Sequence, residues 1–355
     1  MNKSSAPLAI VLSTSAVAFQ LGLMPFAHSA DLVLPGTIPR ESIEKLATSC
    51  TQGLEIVASG AVGSFGDQVA REIERSINVS TFQKPKTMVI NKSGAAGALA
   101  FSHMQLSKNP CVILLSINSL VTLNPLLLKL PSDPINDLGL MLEMMGNSSQ
   151  ILMVNSQSKF TSPEVLLAAI AKREDLAYSS TGMGSAASHI PSELIARDLG
   201  SSLTHIPTRG GIEPLRLLQQ KQVDFTIALP SVAEPILKTG EIRMLAHTKS
   251  GEALVGGVKV PSLIDAAKKM GLVLPMLEAN PLTPWLAVWA RKSVPTEIQK
   301  HIYAVLLAVR SNPEISKLAN FNSQVVPSGM TQNRNLRDER QFAEKIVKLL
   351  DLKAQ

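Results

Sequence analysis

The chain has 355 residues, 45% of them hydrophobic and 17% charged, with a formal net charge of +6. That length is more than one core usually fills, so two domains are expected, and the apolar share excludes a disordered chain. The basic residues are dispersed and only two Trp and two Tyr are present to stack on bases, which argues against nucleic-acid binding and leaves a basic cleft that steers small anions as the simpler use of the charge.

Residues 1–30 read as a secretory signal peptide. Lys3 is their one strongly charged residue, 8–24 are largely apolar, and Ala27, Ser29 and Ala30 suit cleavage after Ser29 or Ala30. A membrane anchor is the alternative, but Ser13, Thr14, Ser15 and Gln20 interrupt a run already short for a span. A soluble periplasmic protein is therefore expected. In an exported chain Cys50 and Cys111 invite a disulfide, each lying beside the start of an expected strand; two buried thiols are the alternative.

Residues 31–49 read as an irregular lead, because Pro35 and Pro39 discourage early helix. A strand at 54–58, a small-residue loop at 59–66 and a helix at 67–77 follow, with Asp67 placed as a cap or first-turn acid. A strand at 87–91, the turn Ser93-Gly94-Ala95-Ala96-Gly97, a helix to Leu106 and a strand at 112–116 continue the alternation. Such alternation predicts an α/β fold with a parallel sheet, right-handed crossovers and ligands at the strand carboxyl ends, where 59–66, 93–97 and 116–122 fall.

The break at 146–149 reads as a crossing into a second lobe. There a strand at 151–154 and a helix at 162–172 lead to the Ser/Gly/Ala loop 179–191 and a helix from Ser192. Further strands are expected at 203–206, 223–229 and 243–246, with helices after Thr208-Arg209-Gly210-Gly211 and from Pro230 to Gly240. A second crossing at 274–289 precedes helices at 295–310 and 338–350, so the first lobe is discontinuous: 31–148 and 272–355 surround a second lobe at 149–271. The loops at 59–66 and 179–191 offer unpaired N–H groups at helix starts to a shared cleft, and their small residues let an anion come close.

In order along the chain, SGAVGSFGDQVAR (59–71), NKSGAAG (91–97), LNPLLLKLPSDPINDL (123–138), AYSSTGMGSAASHIPSEL (177–194), HIPTRGG (205–211), QVDFTIALPS (222–231) and VPTEI (294–298) resemble the periplasmic solute-binding proteins of the tripartite tricarboxylate transporter group, the Bug/TctC family. The resemblance implies a two-lobed type II binding-protein fold that closes on its ligand by hinge motion. It also implies a small carboxylate ligand held largely by backbone N–H groups and water. Membrane transporter subunits or a sensor protein would receive the ligand. The chain departs from the family pattern at Gly63-Ser64, where paired glycines are usual, at Thr208, where an aromatic is common, and at Ala228, where an acid or amide is frequent.

Expected ligand contacts are Gly63, Ser64 and Asp67 in the first lobe, Ser116, Asn118 and Ser119 at the adjacent strand end, and Ser180, Thr181, Gly184, Ser185, Arg209 and Gly210 in the second. Arg209 suits bidentate pairing with a carboxylate, whereas His189 and His205 read as structural. No catalytic residue, metal site or cofactor is expected, and the protein is expected to be a monomer. A periplasmic hydrolase is the rival from another class, but G-x-S-x-G, H-E-x-x-H and phosphate-loop patterns are all missing from the sequence. A ligand sensor feeding a membrane histidine kinase is the rival that keeps the fold.

Overall fold

The computed structural model describes residues 37–81, 86–146, 149–321 and 335–352; the expected signal peptide lies outside the described residues. The expected irregular lead is corrected at its end, where α1 (Arg40–Ser49) forms. Pro39 sits just before the first helical residue, a position that costs no helical hydrogen bond. Ile43 and Leu46 bury one face of that helix, and Arg40–Glu44 and Lys45–Glu41 pair along the other.

The first sheet grows from β1 (Leu54–Ala58), α2 (Phe65–Thr81), β2 (Thr87–Asn91), a 3-10 turn (Ala95–Gly97), α3 (Ala98–Leu106) and β3 (Val112–Ile117). Three short helices follow, α4 (Ser119–Thr122), α5 (Asn124–Leu127) and α6 (Pro134–Asp137), before β4 (Leu138–Met145), an apolar strand absent from the expected elements. The second lobe holds β5 (Ile151–Asn155), α7 (Pro163–Ala171), β6 (Ala177–Ser180), α8 (His189–Asp198), β7 (Thr204–Pro207), α9 (Glu213–Gln219), β8 (Phe225–Ala228), α10 (Pro230–Leu237) and β9 (Ile242–His247). Helix α8 begins at His189, ahead of the expected Ser192, because Pro191 is accommodated in its first turn.

A hairpin of β10 (Ala253–Val255) and β11 (Val258–Val260) then leads through α11 (Leu263–Lys269) and α12 (Pro275–Glu278) to β12 (Leu286–Arg291), α13 (Thr296–Arg310), α14 (Pro313–Phe321) and α15 (Leu336–Leu349). The segment 274–289, expected as a crossing throughout, thus contains α12 and the start of β12.

The two sheets run β2-β1-β3-β12-β4 and β7-β6-β8-β5-β9. In each, four of the five strands run in one direction, and the strand fourth in this order is antiparallel to both its neighbours. The odd strand, β12 or β5, is the one that arrives from the other lobe. A chain crossing at the carboxyl ends of the parallel strands must run away from the cleft as it enters the next sheet, and so lies antiparallel.

Alternating residues of the strands face opposite helical layers. Ile56 and Leu115 pack with Val69, Ile73 and Ile77 of α2 and with Ile302, Val305 and Val309 of α13, while Val57 and Leu114 face Phe101, Met104 and Trp289. In the second lobe Leu152 and Tyr178 meet Leu166, Ile170 and Leu194, and Ile151 and Met153 meet Leu215 and Ile236. The segment 272–355 contributes to both cores: β12 and α13 to the first, Leu277, Leu282, Ala343 and Ile346 to the second.

Cys50, which follows α1, and Cys111, which precedes β3, form a disulfide across a sequence separation of 61. Closing a loop of that length restricts the unfolded chain by about 4 kcal/mol in the chain-entropy account. The Cys50→Ser, Cys111→Ser double variant should therefore lose on the order of 2–4 kcal/mol of unfolding free energy in urea titration, and reductant should produce the same loss in the parent protein. A parent midpoint unmoved by reductant, with both thiols shown to be free, would contradict this.

Candidate functional site

A cavity of about 700 Å3 lies where the two sets of parallel strands end. Ser59 follows β1, Ser93 follows β2, Ser116 and Ile117 end β3, Thr181 follows β6, Thr208 follows β7, and Ala228 ends β8. Seven expected contacts line it: Ser64, Ser116, Ser119, Thr181, Ser185, Arg209 and Gly210. Of the other five, Asp67, Asn118, Ser180 and Gly184 are buried behind that lining, and Gly63 is exposed on the loop before α2.

Asp67, 2% exposed, accepts the Gly63 N–H at 2.9 Å and the Asn91 side-chain amide at 2.8 Å, and pairs with Arg71 at 3.1 Å. Asn91 also donates to Gly60 O, so this cluster clamps the loop 59–64 from beneath. Asn118 is fully buried; its side chain accepts the Trp285 N–H at 3.2 Å and donates to Glu339 at 3.1 Å, fastening the returning chain. Glu339 also accepts the Trp285 indole N–H, and Arg340 beside it pairs with Asp133, holding that carboxyl below its usual range.

In the second lobe Ser180 is buried and its hydroxyl donates to Gly182 O at 3.1 Å. His205 Nε2 lies 2.6 Å from the same oxygen, which leaves the ring to donate there. His189 Nδ1 accepts the Gly184 N–H at 3.0 Å, and the Ser188 hydroxyl accepts the Thr181 N–H at 3.0 Å. The two imidazoles are 4.3 Å apart, and Tyr178 stacks on His205 at 4.9 Å while its hydroxyl bonds Glu193 at 2.5 Å. Burial, with a lesser repulsion from His205, pushes His189 down to about 3, and burial pushes His205 down to about 4. Burial, reinforced by Glu193, raises the Tyr178 hydroxyl. Both histidines are thus neutral props of the loop 181–188.

The lining also includes residues that spacing did not single out. Asn124 donates its amide to Ala96 O, and Leu127 packs where any side chain on Gly184 would stand, with a Cβ there falling 2.2 Å from Leu127 Cδ1. The segment 124–128 is therefore a shared wall, since Leu127 belongs to the second core although its chain leaves β3. Leu229, Val232 and Leu286 extend the apolar side. In the sequence these positions carry only hydrophobicity, which does not tell a cavity wall from a core.

The turn 94–97 has four consecutive positive φ values, including +43° at Ala95 and +48° at Ala96. Held alanines of this kind cost on the order of 1–3 kcal/mol each and tend to occur at functional sites. Opposite them, the loop 208–211 approaches the first lobe, so that a Cβ on Gly211 would lie 3.3 Å from that of Ala61. Arg209, held by its N–H on Glu213 at 3.1 Å, is the one charged side chain among the described residues that line the cavity.

Two outcomes are expected. Between about 3 and 6.5 the unfolded chain protonates His189 and the folded one does not, so stability falls as pH drops below 6.5, by about 2 kcal/mol at pH 5 from this residue. Urea titrations at pH 7 and pH 5 should show that loss together with a similar one from His205, and His189→Gln, whose amide oxygen retains an acceptor for Gly184, should lack the His189 share, about half of the histidine-linked loss. Ala96→Gly should be neutral or stabilising by up to about 1 kcal/mol, where the same change inside a helix costs about that much; a lowered melting temperature would remove the strain argument.

The match to the model of the tripartite tricarboxylate transporter family receptor covers residues 69–352. A curated relative, a UPF0065 protein of Bordetella pertussis, is 22% identical over 182 residues, 51% of this chain and 53% of that protein. The chain spans about half the length of the curated relatives it matches. Among solved structures, Rpa4515 of R. palustris with adipate superposes with a TM-score of 0.72 at 23% identity, covering 85% of this chain and 98% of the other. MatC from Rhodopseudomonas palustris with bound malate gives a TM-score of 0.66 at 20% identity, covering 84% and 97%. At such identities these structures carry the fold: two lobes, each an α/β sheet flanked by helices. With its family model matched over most of its length and its cavity set between two such lobes, the chain belongs to the tripartite tricarboxylate transporter receptor family.

Proposed function

We propose that the protein is an extracytoplasmic receptor that captures a small carboxylate between its lobes and hands it to the membrane subunits of a tripartite tricarboxylate transporter. The observation that carries this is the cavity at the strand ends, rimmed with serine and threonine hydroxyls, in which Arg209 is the one charged side chain among the described lining residues. A guanidinium pairs with a carboxylate through two parallel hydrogen bonds. Family membership supports the reading, as do the adipate and malate that two structural relatives carry.

Each lobe supplies part of the lining, so binding and lobe closure are one thermodynamic event. Both halves come from a single chain, and a monomer suffices. An export signal at 1–30 agrees with a periplasmic setting, and no helix among the described residues is long and apolar enough to cross a membrane. A hydrolytic role finds little support: the Ser180–His205 pair is engaged with Gly182 behind the lining, with the imidazole a poor base near neutral pH.

Titration calorimetry of the parent protein against mono-, di- and tricarboxylates should find a ligand, and Arg209→Gln should weaken it at least about tenfold, or 1.4 kcal/mol, without lowering the unfolding midpoint. Absence of binding to every carboxylate would refute capture, and unchanged affinity in Arg209→Gln would refute the role given to that side chain.

A further inference from the structure

The loop that carries Arg209 has little steric reason to keep one shape. Gly210 and Gly211 follow the arginine with φ of +99° and +64°, and a Cβ on Gly210 would meet nothing within 4 Å. A pair of glycines leaves a wide choice of turns open, so hydrogen bonds must select among them.

Thr208 supplies most of those bonds. Its N–H and its hydroxyl both donate to Ser180 O, each at 2.9 Å, and its Oγ1 accepts the Gly210 N–H at 3.2 Å. Glu213 takes the intervening Arg209 N–H at 3.1 Å. The anchor is itself fixed: Ser180 ends β6, is buried, and has its hydroxyl engaged by Gly182 and His205. One threonine oxygen therefore ties a rigid strand end to the turn just past Arg209.

The N–H groups of Arg209 and Gly210 are both spent inside the loop. What Arg209 presents to the cavity is its guanidinium, which bonds no partner among the described residues. An arginine side chain already samples many rotamers, and a wandering backbone would spread its charge further. Fixing the turn lowers the entropy lost when that charge is brought to a carboxylate.

We infer that Thr208 is a positioning residue for carboxylate capture: its hydroxyl, bridging Ser180 O and the Gly210 N–H, holds the turn that presents Arg209 to the cavity. This rests on the role given to Arg209 above and adds the group that sets its place.

Calorimetric titration of the parent protein with hexanoate, malate, adipate and citrate identifies the tightest binder of the four, and the variants are titrated with that compound. Thr208→Val, which keeps the branched shape and the N–H bond to Ser180 but loses the hydroxyl, should weaken binding at least about fivefold. Thr208→Ser, which keeps the hydroxyl, should restore affinity to within about twofold of the parent. In the Arg209→Gln background Thr208→Val should weaken binding by less than about twofold more, a non-additivity that neither a general loss of stability nor a direct contact from Thr208 produces. Should Thr208→Val fail to fold, Thr208→Ala serves the same comparison. A loss below fivefold without the hydroxyl, no recovery in Thr208→Ser, or additive losses in the double variant overturns the inference while the receptor reading stands. Unchanged affinity in Arg209→Gln removes the role of the arginine, and silence from all four carboxylates removes capture itself; the inference falls in both cases.

Discussion

The chain passes between the lobes at the same end of the sheets where the cavity lies, and much of the architecture follows from that. β4 leaves the first sheet at its cleft end, β5 enters the second from the cleft, and β12 makes the return in the same way. Each arriving strand must run antiparallel to the parallel set it joins. It also wedges into the sheet beside the loops that line the cavity. Leu286, the first residue of β12, is itself part of the lining. The strands that connect the lobes therefore lie directly beside the cavity.

The lining loops are made stiff by groups that never reach the cavity. Asp67, Asn91 and Arg71 grip the loop before α2, and two neutral imidazoles under Tyr178 grip the loop before α8. Neutral histidines suit this task because one ring nitrogen can accept while the other donates, a division that protonation destroys. The left-handed run at 94–97 is held in place by the same surroundings, with Asn124 closing over Ala96. Loops prepared in this way lose little entropy when a ligand arrives.

Close approach of the lobes depends on residues without side chains. Gly184 gives Leu127 its place, and Gly211 lets the loop beside Arg209 come up to Ala61. Through Leu127 and its neighbours a segment that follows the first sheet is anchored in the second core, and α15 adds Ala343 and Ile346 to that same core while Glu339 holds Trp285 and Asn118. The two lobes are consequently joined by packing as well as by the crossing strands.

Much of this was legible in the amino-acid order. The strands at 54–58 and 87–91 fall where short β-branched runs put them, the Ser/Gly loops lie at strand ends, and the ordered motifs carry the family. The alternation of strands and helices also placed Arg209 and Ser119 among the right loops. What it could not decide was which member of a loop faces inward. Ser180 and Thr181 are neighbours, yet one bonds His205 behind the lining and the other meets the cavity, because successive residues leaving a strand point to opposite sides. Helix α1 and strand β4 escaped notice for local reasons: Pro35 and Pro39 argue against a helix near the first, and the second, LGLMLEMM, shows neither clean alternation nor β-branched residues to mark a strand. The sequence by itself determined the alternation of elements, the small-residue loops and the family. Only the tertiary structure decided the wall of the cavity, since Leu127, Leu229 and Leu286 come from widely separated parts of the chain and nothing local distinguishes a leucine that lines a space from one that fills it.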